Sequence, residues 1–97
     1  MDKFMCEKGR YFAGMKGNTT KSQMVKVMFE MAELLEAIES GYHDEIINEG
    51  FDVMQSVMTL LMTVDKDLIP GSMEMYYDDW KKKIEGYIEK GGKYSEV

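Results

Sequence analysis

At 97 residues the chain can bury one hydrophobic core and not two, so residues 1–97 are read as a single domain. A formal net charge of -6 with no Lys/Arg-rich arm excludes a duplex nucleic-acid binder held by phosphate contacts, and Cys6, the only cysteine, excludes an intrachain disulfide or a multi-cysteine metal site. Hydrophobic residues make up 44% of the chain, so part of its apolar surface is expected to be covered by another copy, in a homodimer or a dimer of dimers.

The first ten residues break every apolar run with a charge and so lack the h-region of an export signal, and the lone cysteine suits a reducing compartment. A cytoplasmic location is expected. Residues 1–18, with Gly9, Gly14 and Gly17, predict a short, broken first helix followed by a loop. Thr20-Lys21-Ser22-Gln23 then matches a capping box, which starts a helix by satisfying its free amides.

From Met24 the apolar residues Val27, Met28, Met31, Leu34, Leu35 and Ile38 recur at three- and four-residue spacing, predicting a helix over about 20–40 with that stripe buried. Gly41 can take the left-handed conformation that ends it. A third helix is expected over about 43–64, opened by acidic residues that suit the helix dipole. Most of its circumference is apolar, but Glu45, Glu49, Asp52, Ser56, Thr59 and Thr63 draw one polar line along it.

The stretch Phe51 to Val64 is shorter than a membrane span and carries Asp52, Gln55 and Ser56, so no membrane partner is expected. Pro70 and Gly71 break the chain, Ser72 can cap a fourth helix, and that helix, over about 73–90, is expected to turn Tyr76, Tyr77, Trp80, Ile84, Tyr87 and Ile88 inward. These elements predict an all-α, four-helix bundle-like domain.

Two acidic pairs stand at helical i, i+3 spacing, Glu30 with Glu33 and Glu49 with Asp52. They are symmetric about Gly41: seven residues separate Glu33 from it on one side and seven separate it from Glu49 on the other. An antiparallel hairpin turning at Gly41 would bring all four carboxylates to one depth. Such a cluster is tolerated when a hard cation neutralises it or when some members stay protonated, and an all-oxygen ligand set favours Mg²⁺ or Mn²⁺.

The order Lys26-x3-Glu30-x2-Glu33, then Glu49-x2-Asp52-Val53, resembles the ExxE…ExxD signature of the all-α nucleotide pyrophosphohydrolases, the MazG-type and dimeric dUTPase-like group. Phe29 through Ile38 is similar to that group's first acidic motif and Glu49-Gly50-Phe51-Asp52-Val53 to its second, so the resemblance covers about residues 20–65. Phe29 departs from the pattern, since many relatives have another Glu there; this bears on how many metals are held.

The resemblance implies an all-α NTP pyrophosphatase fold and Mg²⁺-dependent hydrolysis of a nucleoside triphosphate between its α and β phosphates, giving the monophosphate and pyrophosphate. It implies Glu30, Glu33, Glu49 and Asp52 as the catalytic metal ligands. Lys26 and Lys83 are candidates for binding the nucleotide, with Lys82 and Lys90 beside them, and Glu36 is an outer-shell base or a surface residue.

A helical oligomerisation module with a structural cation is the alternative. An acidic mimic of nucleic acid is disfavoured, because the carboxylates cluster inward as well as outward. His43 reads as a capping or surface residue, and the 11 methionines as adaptable core fillers.

Overall fold

The computed structural model describes residues 2–67 and 72–91, all helix apart from caps and turns. The helices are α1 (Lys3–Ala13), α2 (Thr20–Ser40), α3 (His43–Asp67) and α4 (Met73–Glu89). Among the described residues no helix is long and apolar enough to cross a membrane. Pro70 and the junction Leu68 to Gly71 lie outside them, as does the tail after Gly91.

The first helix is unbroken, contrary to the expectation from its glycines. Asp2 caps it by accepting from the Met5 amide at 2.8 Å, and Gly9 lies in its interior where α1 crosses α3. A Cβ on Gly9 would stand 3.2 Å from Met58 Cγ and 3.3 Å from both the Met58 backbone carbon and oxygen. Gly9 therefore sets how closely the two helices approach. Gly9→Ala is expected to cost about 1–3 kcal/mol of overpacking, offset by roughly 1 kcal/mol of helix propensity; a urea midpoint lowered at constant slope would register the net loss.

The capping box of α2 falls one residue earlier than the sequence suggested. Thr19 Oγ1 accepts from the Ser22 amide at 3.0 Å, and the Thr19 amide donates to Ser22 Oγ at 2.9 Å. Gln23 is thereby released from the cap. It is buried, and its side chain crosses to α3, where Nε2 donates to the Ser56 carbonyl at 3.0 Å.

Gly41, at φ 79°, ends α2 in the left-handed conformation, and α3 folds back against α2. This part of the sequence expectation holds. The face of α2 turned to α3 differs from the expected stripe: Val27 and Ala37 are buried and Leu34 half-buried, whereas Met31 is 55% and Leu35 57% exposed, with Met28 and Ile38 also outside. Periodicity located an apolar stripe but not its centre, because Glu30 lies on the face that meets α3.

Helix α3 runs three residues beyond the expected Val64 and packs against both α1 and α2. Its polar line sinks inward toward the far end. Ser56, Thr59 and Thr63 are buried, Thr63 completely, and each hydroxyl donates to a carbonyl of its own helix at 2.8 to 2.9 Å. No desolvation penalty is left standing, since the buried O–H groups are partnered.

Asn18 ties the α1 end down by donating from Nδ2 to Thr63 Oγ1 at 2.9 Å and to the Ala13 carbonyl at 3.2 Å. Lys66 Nζ donates to the same carbonyl at 2.8 Å. Beside these contacts lies the small core of Cys6, Ala13, Met62 and Met73, with Met58 packed on it.

Helix α4 joins this core through Met73 at its first turn, and Ser72 Oγ donates to Asp65 Oδ1 at 2.8 Å instead of capping α4. Its aromatic residues do not turn inward as expected. Trp80 is 52% and Ile88 68% exposed, Tyr76 is exposed too, and only Tyr77, Ile84 and Tyr87 are half-buried. Within one chain, α4 presents its apolar face to no helix of the α1–α3 layer over most of its length, so the packed unit is three helices with a fourth attached.

Candidate metal centre

The hairpin geometry decides which carboxylates meet. With Gly41 as the turn, residues equidistant from it lie at one height, so Glu30 faces Asp52 and Glu33 faces Glu49 across the α2–α3 contact. One oxygen from each of Glu30, Glu49 and Asp52 lies within 4.8 Å of the others. Glu33, more exposed, stands beside this trio with its carboxyl in hydrogen-bond reach of both Glu30 and Glu49. An ionised carboxylate has no hydrogen to give, so those contacts are bonds only when the group holds a proton.

Both Glu30 Oε2 and Glu49 Oε2 are shut off from solvent with no hydrogen-bond partner. An anionic oxygen in that position is unfavourable, and the proton affinity responds. Glu30 is raised above its ordinary value of 4.5 by burial first, then by the negative charges of Glu33 and Asp52, with Lys26 pulling the other way. Glu49 is raised by burial first and then by Glu33, Asp52 and Glu30.

The donor set fits a hard divalent cation. Metal-oxygen distances of about 2.1 Å for Mg²⁺ put opposite ligands about 4 Å apart, so the trio reaches an ion by closing slightly from its 4.8 Å envelope. The two orphaned oxygens would gain a ligand to replace the hydrogen bonds they lack. Calcium would span the same gap, but it takes six to eight ligands, and three or four side chains with room for water suit Mg²⁺ better.

Lys26, one turn before Glu30, is the cation acting on the group. Lys83 lies elsewhere within one chain: its Nζ is 6.0 Å from the centre of the Tyr87 ring on α4, and it is not among the charges that act on Glu30 or Glu49. Glu36 and His43 are exposed.

A cavity of about 170 Å³ adjoins the carboxylates, lined by Glu30, Asp52 and Lys26 together with Phe12, Gln23 and Gln55. Sequence reasoning does not find the last three. Gln23 falls inside a cap expected one residue out of register, and Phe12 in a segment expected to be broken. Gln55, a polar residue within an apolar run, is the one available signal.

Compared with known proteins, the chain matches no family model, no curated protein and no solved structure.

Proposed function

We propose that the chain is a Mg²⁺-dependent nucleoside triphosphate pyrophosphohydrolase of the MazG-like, all-α kind, releasing pyrophosphate and a nucleoside monophosphate. The observation that supports this most is the pair of sequestered, partnerless oxygens on Glu30 and Glu49 inside a carboxylate trio. A surface acidic patch would leave those atoms hydrated.

In this reading Glu30, Glu49 and Asp52 hold the cation, Mg²⁺ or Mn²⁺, and Glu33 closes the set from the solvent side. When bound, the ion screens the triphosphate, polarises the attacked phosphorus and lowers the pKa of water. Water adds to the α-phosphorus, the bond to the bridging oxygen breaks, and pyrophosphate leaves with the electron pair. The proton given up by the water passes to the Glu33 carboxylate. Lys26, in the cavity wall, meets negative charge on the phosphates.

A screen of nucleoside triphosphates with Mg²⁺ and a pyrophosphate-coupled readout tests this. Turnover of at least one nucleotide, lost on chelation, is expected; silence across the whole set would reject the enzyme.

A second reading is a helical oligomerisation module whose cation is structural, and one observation bears on its self-association. The chain exposes 7438 Å², against about 5,700 Å² for a compact monomer of 11.2 kDa. The excess is larger than the roughly 800 Å² per partner that a standard interface covers. Self-association also belongs to the enzymatic proposal, so sedimentation equilibrium should find a dimer or a dimer of dimers under either reading. Leu35→Glu, on the open apolar face of α2, is expected to shift it toward monomer. Binding of a non-hydrolysable nucleotide in the presence of Mg²⁺ separates the two, because only the enzyme should show it.

A further inference from the structure

Two apolar faces stay open in a single chain, and they match each other in length and charge. On α2, Met28, Met31, Leu35 and Ile38 line a groove together with Val53 of α3, and no polar or charged side chain takes part in its lining. On α4, Tyr76, Tyr77, Trp80, Ile84, Tyr87 and Ile88 recur at helical spacing and draw one stripe, in which Trp80 is 52% exposed. At about 1.5 Å per residue, the stripe from Tyr76 to Ile88 runs about 18 Å and the groove from Met28 to Ile38 about 15 Å.

The rims carry opposite charge. From Met28 to the end of α2 every charged residue is acidic. Of these, Glu36 and Glu39 each stand one turn beyond a lining residue, Ala32 and Leu35, and both are exposed. With a turn of about 100° per residue, Lys81 and Lys83 are the charges nearest the α4 stripe, one on either side, and the acids of α4 lie farther round. Lys81 Nζ stands 5.6 Å from the centre of the Tyr77 ring and Lys83 Nζ 6.0 Å from that of Tyr87, so both border the stripe. Among the described residues none of these four charges is in an ion pair.

We propose that a second copy of the chain lays its α4 in this groove and receives the first copy's α4 in return. Trp80 of each copy is then covered by α2 of the other, and the lysines bordering the stripe meet the acids bordering the groove. The exchange is reciprocal, so it closes at a two-fold symmetric dimer. It uses two faces of each chain, and the accessible area beyond that of a compact monomer is about twice the roughly 800 Å² per partner that a standard interface covers. A lipid surface suits α4 less well: helices that lie on membranes are rich in lysine and arginine on their polar face, whereas α4 carries five acids against three lysines in a chain of net charge -6. The pairing does not depend on the hydrolase reading.

Trp80 is the only tryptophan, so its fluorescence reports the seat directly. Wild-type protein should sediment as a dimer. Leu35→Glu in the groove and Trp80→Glu on α4 should each be monomeric at the same concentration, with helix content unchanged by circular dichroism. The Leu35→Glu chain keeps an intact α4 and the Trp80→Glu chain an intact groove. Titrating the second into the first should therefore rebuild one of the two contacts: the emission of Trp80, present only in the first, moves to the blue and saturates. A chain carrying both substitutions, added in place of the second, should move nothing. A wild-type chain that stays monomeric overturns the proposal, and so does a dimer of either single variant. Unchanged emission throughout the titration overturns it as well, because each face would then be pairing with its own kind.

Discussion

Asp52→Asn should abolish Mg²⁺-dependent pyrophosphate release while the protein stays folded. Asp52 is the member of the trio that also lines the cavity from α3, so under the proposed function its oxygen would serve the cation and face the substrate. Replacing it by an amide keeps the shape and removes a negative charge. Losing even an outer-shell partner of a metal ligand typically costs ten- to a hundredfold, so losing a ligand should lower kcat/KM by at least about a hundredfold. Glu33→Gln should behave likewise. Circular dichroism supplies the control, because the substitution removes charge repulsion instead of packing and should leave helix content unchanged. An Asp52→Asn protein with wild-type turnover would show that the carboxylates are not the reaction centre.

The second large effect is in stability, and its sign is fixed by linkage. Glu30 and Glu49 titrate near 4.5 when unfolded and above it when folded. Between those two values the native state binds more protons than the unfolded chain, so metal-free protein loses stability as pH rises. The contribution is fully present below 4.5 and gone above the folded values. A cation that takes the place of those protons reverses the loss. At a hundred times its dissociation constant a ligand adds about 2.7 kcal/mol, and each kcal/mol moves the melting temperature of a domain this small by about 4–8 °C.

At neutral pH, therefore, Mg²⁺ should raise the melting temperature by on the order of 10 °C, and below pH 4.5 it should do almost nothing. Calorimetric scans with and without Mg²⁺ across that range measure it. An equal shift at both pH values would assign the metal to other groups.

Much of the hairpin was legible in the sequence because its determinants are local. The left-handed glycine, the helical spacing of the acids and their symmetry about Gly41 each follow from geometry within a few residues. Which face of α2 lies inward was not legible. Met28, Met31, Leu35 and Ile38 look like a core stripe to any periodicity argument, yet the face carrying Glu30 is the one that meets α3. A pattern of apolar residues reports that a surface wants covering and not which neighbour covers it.

The same limit applies to α4. Its aromatic residues read as core, but among the described residues most of its length packs on no other helix. The cavity was the least visible feature. Its wall is made by Phe12, Gln23 and Gln55 from three different helices, and only the long-range hydrogen bonds of the two glutamines reveal what they present.

The equal arms of the hairpin restrict how this sequence can vary in length. One residue added to α2 or α3 between the carboxylates and the bend rotates everything beyond it by about 100°, which swings one acidic pair off its partner. Seven positions on each side of Gly41 thus behave as a ruler whose marks must be kept in number though not in kind. Insertions and deletions should be tolerated beyond the acidic pairs, toward the distal ends of the two helices, long before they are tolerated inside that span.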